Sequence, residues 1–143
     1  MNTEQMPVIT LWQPWASWVA EGWKTIETRN HNKFACLAGQ KILIHAGMQW
    51  DKRAIKLAWK YMDEMQKVKT AEFTGIRGMI ICSAWIDGHI LCEEQDEKRT
   101  LIECRSVERY GLFLSHIEKI EPPIIIKGKQ GIWYFDKDIN NAR

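Results

Sequence analysis

ITLWQPWASWVAEGWKTIETR, residues 9 to 29, reads as a strand, a helix and a second strand in succession. It places four of the eight tryptophans (Trp12, Trp15, Trp18 and Trp23) just ahead of Lys24, Glu27 and Arg29. An apolar segment that hands over to Lys, Glu and Arg this quickly can supply both the wall of a pocket and its charged mouth. Val8 to Leu11 reads as a short strand. Pro14 fits the first position of a helix, where its missing N–H would have lacked a partner anyway. Trp15, Trp18 and Val19 recur at helical spacing, and Gly22 suits the stop. A second strand is expected from about Lys24 to Arg29. Side chains alternate in a strand, so Glu27 and Arg29 share a face roughly 7 Å apart. That spacing serves to grip one polar ligand from two sides, and equally to form an ordinary surface ion pair.

Beyond Arg29, Asn30 to Gly39 is polar and irregular, and Lys41 to Ala46 (KILIHA) is a buried strand. From Asp51 to Lys69 the pattern predicts one helix. Ile55, Ala58, Trp59, Met62 and Met65 share its inner face, Asp51 serves as N-cap, and Lys67 and Lys69 complement the C-terminal dipole. Met79 to Asp87 (MIICSAWID) is apolar on both faces, which predicts a central strand. The mixed-charge run from Cys92 to Arg99 reads as a solvated loop. Tyr110 to Ile120 forms another strand, ended by Pro122-Pro123. Ile124 to Ile126 and Ile132 to Phe135 form a terminal β pair around the turn KGKQG. About six strands with two main helices predict an α+β fold, a small mixed β-barrel rather than a doubly wound sheet.

The chain has 143 residues, which fits a single domain over 1–143 with a core from about 8 to 136. Hydrophobic content of 45% with 27% charged residues is that of a soluble globular protein. The net charge of +2 does not by itself announce a nucleic-acid binder, so a local basic patch would have to carry that role. Cys36, Cys82, Cys92 and Cys104 form no CxxC pair, and no secretory leader is read ahead of them. Reduced thiols in a cytoplasmic protein are therefore expected. Apolar runs such as Met79 to Cys82 are too short to span a bilayer, so no membrane partner is expected.

Neither GxxxxGK[ST] nor GxGxxG occurs. KGKQG sits between strands and opens no helix, but Lys127 and Lys129 make it a local cationic spot in a stretch without acids. His31, His45, His89 and His116 lack metal-ligand spacing, so no metal and no cofactor is expected. His45 ends an apolar strand, where it serves either as a hydrogen-bonded structural residue or as a polar group facing a cavity. Lys24 follows a helix stop beside Trp23. Held near apolar surface, it would lose hydration and act as a base; in the open, it would grip a phosphate.

Four blocks in order, ITLWQPWASWVAEGWKTIETR, ILIHAG, RGMIICSAWIDG and IIIKGKQGIWYF, resemble the ASCH (activating signal cointegrator-1 homology) domain. The resemblance spans about Val8 to Phe135. It is most specific at Gln13-Pro14-Trp15-Ala16, at Gly22-x-Lys24-Thr25-x-Glu27-x-Arg29, and at Lys127-Gly128 with Gly131-x-Trp133. It implies a PUA-like barrel with a cleft between the early helix and the sheet, and RNA, or a nucleotide or nucleoside, as partner, with DNA as an alternative. Lys24, Arg29, Lys127 and Lys129 would then contact phosphate. Trp15 or Trp23 would stack a base, and Gln13 or Glu27 would read its edge.

The same resemblance carries an enzymatic alternative, since some short members hydrolyse N4-acylated cytidines with a lysine, a threonine three residues on, and a downstream acid. Lys24 matches the lysine, but Glu27 occupies the threonine position and Thr25 and Thr28 are displaced from it. Asp87 and Glu93 are the candidates for the acid. On this reading Lys24 and Glu27 are catalytic and activate water; a ribonuclease activity is a further option. A protein-interaction module using the Asp51–Lys69 helix is the third reading, and the sequence names no protein partner for it.

Overall fold

The alternating and apolar runs of the sequence become strands, several of them longer than the pattern predicts. The computed structural model describes residues 3–138, and the ends of the expected domain range lie outside them. Strand β1 runs Thr3–Gln13, β2 Ile26–Arg29, β3 Lys41–Trp50, β4 Met79–Leu91, β5 Tyr110–Ile125 and β6 Trp133–Asp138. They form one six-stranded sheet in the order β2-β5-β4-β3-β1-β6. Among the described residues only β1 and β3 run parallel. A parallel pair needs a crossover of a dozen or more residues. Here the crossover contains helix α1 (Trp15–Ala20) and β2.

The fold is α+β, as expected, but the sheet does not close into a barrel. All four residues of β2 pair with β5, from Ile26↔Phe113 to Arg29↔Tyr110, while β6 pairs with β1. The two end strands are therefore not hydrogen-bonded to each other.

Strand β4 is central, as its two apolar faces predict, with Ile80, Ile81, Cys82, Ala84 and Ile86 all buried. Two expectations about the C-terminal strands are corrected. Strand β5 continues beyond Pro122-Pro123, and Ile124 does not form a hairpin with β6 but pairs with Ile80 of β4. The prolines are tolerated because the register jumps from Cys82↔Lys119 to Ile80↔Ile124. Residues 120–123 thus bulge opposite Ile81, where the ladder requires no donor from them.

Helix α1 is buried on two sides. Ala16 and Val19 pack on the sheet with Ile9, Leu11, Ile42 and Ile44. Trp18 faces away from the sheet into a second cluster with Ala54, Ala58, Met62, Phe73 and Leu101. The fully buried Trp18 donates its Nε1–H to Thr70 Oγ1 at 2.9 Å, which satisfies the one polar atom of its ring. Gly22, at φ +80° just past the helix, takes the left-handed turn expected of it.

The single helix expected over Asp51–Lys69 is two. Helix α2 (Ala54–Ala58) runs into a 3₁₀ turn and stops at Met62, which is extended, and α3 (Glu64–Lys69) begins afresh. Asp63 caps α3, accepting from Gln66 N at 2.8 Å while Gln66 Oε1 accepts from Asp63 N at 3.0 Å. This capping box is legible as Asp-x-x-Gln and competes successfully with the 3.6-residue periodicity. Met62 stays inside, but Trp59 and Met65, expected in the core, are 52% and 73% exposed.

The Cys92–Arg99 run is not simply a solvated loop either. Helix α4 (Glu97–Thr100) buries Glu97 and Thr100. Glu97 accepts from Cys104 N at 2.8 Å, Tyr61 Oη at 3.0 Å and Arg105 Nη2 at 3.2 Å. The Cys104 N–H and Arg105 hold its pKa down from 4.5 to about 2. Because this folded-state value is depressed, the stability it confers is present above 4.5 and is lost as pH falls from there through about 2. Glu97→Gln is expected to lower the urea midpoint at neutral pH and to flatten its acid dependence over that window. An unchanged acid dependence in the variant would show that other carboxylates control it.

Candidate functional site

The cleft lies where the β1–α1 turn, β2 and the loop from β5 to β6 face one another, and has a volume of about 1480 Å³. Both ends of the sheet order contribute to it, with Glu27, Thr28 and Arg29 from β2 and residues 127–131 leading into β6.

Lys24 sits in its wall, in the connection between α1 and β2, and is 1% exposed. Its Nζ donates to the carbonyl of Thr100 at 2.5 Å, stands 3.9 Å from Glu27 Oε1, and lies 4.9 Å from the centre of the Trp15 ring. Burial pushes its pKa down from 10.5 to about 8, against the opposing pull of the Glu27 carboxylate. It is therefore not an open phosphate hook.

The strand alternation from Glu27 to Arg29 holds, and the two form an ion pair, Arg29 Nε to Glu27 Oε2, at 3.2 Å. The alignment is not that of a hydrogen bond, so Arg29 Nε is buried with its N–H unmatched. The guanidinium rests over the Phe34 ring at 5.1 Å.

At the other end, His45 is held by a directed chain. Trp133 Nε1–H donates to Thr10 Oγ1 at 3.0 Å, and that hydroxyl faces His45 Nδ1 at 3.3 Å. His45 Nε2 donates to the Ile126 carbonyl at 2.7 Å. This arrangement fits a neutral imidazole with the proton on Nε2. Burial pushes its pKa down, while the bond to Ile126 works the other way. A register jump next to His45 leaves Ile81 of β4 unpaired, as a bulge beside it. Gly128 lies against the imidazole, where a Cβ would sit 2.5 Å from His45 Cε1 and 2.9 Å from Thr10 Oγ1. His45 thus fixes the start of the Lys127–Gly131 loop and leaves Lys127 and Lys129 exposed at the cleft.

Of the residues singled out from sequence, Trp15, Lys24, Glu27, Arg29, His45, Lys127 and Lys129 line the cleft. Gln13 and Trp23 do not. Gln13 is fully buried and its amide is used up, accepting from Ser17 N at 2.9 Å and donating to Ser17 Oγ and Ile76 O, each at 2.7 Å. It stands in for the side-chain cap that Pro14 cannot supply to α1. Trp23 packs on Phe73, 5.8 Å between ring centres, in the second core cluster.

Several cleft residues escaped the sequence reading. Trp12 is 53% exposed in the cleft wall, where β1 shifts register against β3. Its signal was the alternation with buried Leu11 on β1. Asp51 is not the N-cap expected of it, because α2 starts only after Arg53; its carboxylate accepts instead from Trp15 Nε1 at 2.9 Å and from Arg53 N at 3.0 Å. Partial burial works to raise its pKa, but these two bonds hold it below its ordinary value. Lys33, Arg53 and Arg109 come from loops and a helix start, where no local pattern marks them. In all, seven Lys and Arg residues line the cleft against two acids, Glu27 and Asp51. The +2 charge of the chain conceals this local excess.

The chain matches no protein-family model and no curated protein. Among solved structures it is similar to an ASCH protein of Zymomonas mobilis, with a TM-score of 0.55 at 13% identity over 91% of this chain and 87% of that one. A serine-to-alanine variant of that protein aligns at a TM-score of 0.56 and 15% identity, over 93% of this chain and 89% of the other. A tyrosine-to-phenylalanine variant gives 0.56 at 14% identity, over 93% and 91%.

The chain has the ASCH fold. At these identities the agreement is one of backbone architecture, and the three blocks of sequence that most resemble ASCH domains meet in it. Gln13–Ala16 makes the turn from β1 into α1, Gly22–Arg29 carries the Lys24–Glu27–Arg29 wall, and Lys127–Trp133 forms the facing loop.

The tight seat of Gly128 yields a direct test. Gly128→Ala is expected to cost about 1–3 kcal/mol, because the His45 ring and the Thr10 hydroxyl that its methyl would meet are both held by hydrogen bonds. Chemical denaturation measures the loss, and NMR of the imidazole nitrogens should show His45 displaced. A variant as stable as the parent would mean that the loop sits on His45 loosely.

Proposed function

We propose that this protein binds single-stranded RNA, or a nucleotide within it, in the cleft. The observation that carries the reading is the seven-to-two excess of cationic over acidic residues in the lining. Such a groove attracts a polyanion and releases its counterions on binding. Aromatic faces accompany the charge. Trp12 is exposed and Trp15 half-buried, and a base stacks on such rings without needing a particular sequence. Lys127 and Lys129, exposed and in no ion pair among the described residues, serve as phosphate contacts. Arg29, whose side chain is 29% exposed in the lining, supplies a further cationic donor through the outer part of its guanidinium. DNA would present the same phosphates and is distinguished by the absence of 2′-hydroxyls.

Lys127→Ala combined with Lys129→Ala is expected to weaken binding of a single-stranded RNA about tenfold and to reduce the salt slope by about 1. Fluorescence anisotropy over a salt series measures both quantities. Affinity independent of salt, or a double variant that binds like the parent, would refute the reading.

A second reading, hydrolysis of an acylated nucleoside, is favoured by one observation, the buried Lys24 beside Glu27. A lysine with a pKa near 8 is partly neutral at physiological pH and can accept a proton from water. Its polar partners are the Thr100 carbonyl and Glu27, so among the described residues no hydroxyl is hydrogen-bonded to its Nζ to act as nucleophile. Turnover of N4-acetylcytidine, followed by mass spectrometry, should then rise with pH through about 8 and vanish in Lys24→Met and Glu27→Gln. A flat profile, or turnover surviving in either variant, would exclude this chemistry. The third reading loses its premise, because the continuous Asp51–Lys69 helix on which it stood is broken at Met62.

A further inference from the structure

One face of the α2–α3 segment beside the cleft carries charge that is largely unmatched among the described residues. Between Lys52 and Met62 the chain has Lys52, Arg53, Lys56 and Lys60 and no acid. Arg53, Lys56, Leu57 and Lys60 follow one another at helical spacing along α2 and its 3₁₀ extension, so they form a stripe. All four are exposed. The stripe starts inside the cleft, since Arg53 and Leu57 line it, and continues past its rim through Lys56 and Lys60. Trp59 stands half exposed within it, with Lys67 Nζ 3.9 Å over its ring.

Other cations of this surface are matched. Lys67 pairs with Glu64, Lys69 and Lys119 both pair with Glu21, and Arg105 meets Glu94, Glu97 and Glu103. By contrast, Lys52, Lys56 and Lys60 have no acidic partner among the described residues, and Arg53 reaches Asp51 only at 3.5 Å from a side chain that is 79% exposed. Like charges at this spacing disfavour a helix. A stripe that sustains this cost and is continuous with a cationic cleft is suited to a polyanion that leaves the cleft along it.

We infer that α2 is an exit track for the phosphate backbone, so that the ligand is a single strand of several nucleotides rather than one nucleotide enclosed in the cleft. The inference rests on the cleft-binding reading above. From Arg53 to Lys60 the helix rises about 10 Å, enough to meet more than one successive phosphate. Because the contacts are to phosphate alone, the track adds affinity without adding base preference.

Paired oligonucleotides test it. A single-stranded RNA dodecanucleotide is expected to bind at least about tenfold more tightly than a trinucleotide of the same composition at low salt. Lys56→Glu with Lys60→Glu should remove most of that advantage and lower the salt slope for the dodecanucleotide by about 1–2, with trinucleotide affinity within about twofold of the parent. Both positions are exposed, and an unchanged thermal midpoint confirms that the variant is folded. Lys41→Glu with Lys119→Glu, outside the cleft lining and held to the same thermal midpoint because Lys119 pairs with Glu21, is the charge-matched control.

Equal affinity for the two oligonucleotides would overturn the track while leaving the cleft reading intact. So would an equal loss in the control, or a dodecanucleotide that binds the α2 variant normally. Failure of both oligonucleotides to bind the parent protein would overturn the cleft reading and the track together.

Discussion

A fully buried ammonium group organises the centre of this protein. Lys24 has exchanged water for the Thr100 carbonyl, the Glu27 carboxylate and the face of Trp15. A buried cation is tolerated only if its neighbours compensate for the lost hydration. The compensation here ties the α1–β2 connection, β2 itself and α4 to one another. Glu27 then holds Arg29 on the same strand, and Arg29 lies over Phe34 in the following loop. Removing the lysine would leave Glu27 buried with Arg29 alone and the Thr100 carbonyl without its donor, so the cleft wall and the fold share one electrostatic constraint.

The opposite wall obeys a different rule. No net charge is buried there. A chain of neutral hydrogen bonds runs from Trp133 through Thr10 and His45 to the Ile126 carbonyl, and Gly128 provides the close approach that a side chain would forbid. The lysines on either side of that glycine are held at the cleft by a rigid base while their own ammonium groups remain in water. One wall is thus suited to perturbing the ionisation of a lysine, and the other to presenting ordinary cations.

Much of this architecture was legible in the sequence. KILIHA and MIICSAWID betrayed their strands through apolar runs, Gly22 announced the end of α1, and the spacing of Glu27 and Arg29 placed them on one face. What escaped has physical reasons. The helix over Asp51–Lys69 broke because a local capping box at Asp63 outweighed a periodic pattern, and β5 passed two prolines because a bulge released them from the ladder. The burial of Lys24 depends on a carbonyl 76 residues away, and no window on the sequence contains both. The cationic lining is likewise assembled from separated segments in a chain whose overall charge is nearly balanced, so composition could not reveal it. The ASCH resemblance named the blocks that meet at the cleft, Trp12 among their residues, but not Lys33, Arg53 or Arg109 beside them.

The pairing of β1 with β6 also bears on how the molecule comes into being. Trp133 meets Thr10 across 123 residues of chain, and the ladder around them joins the first strand to the last. Contacts of such long separation incur most of their loop-closure entropy before returning any stabilisation, which slows folding. On the ribosome β1 must wait, with one edge unpaired, until β6 has emerged. The loop that carries Lys127 and Lys129 is completed only at that point. The site therefore matures last, and an incompletely synthesised chain would carry the tryptophan-rich segment without the basic wall that faces it.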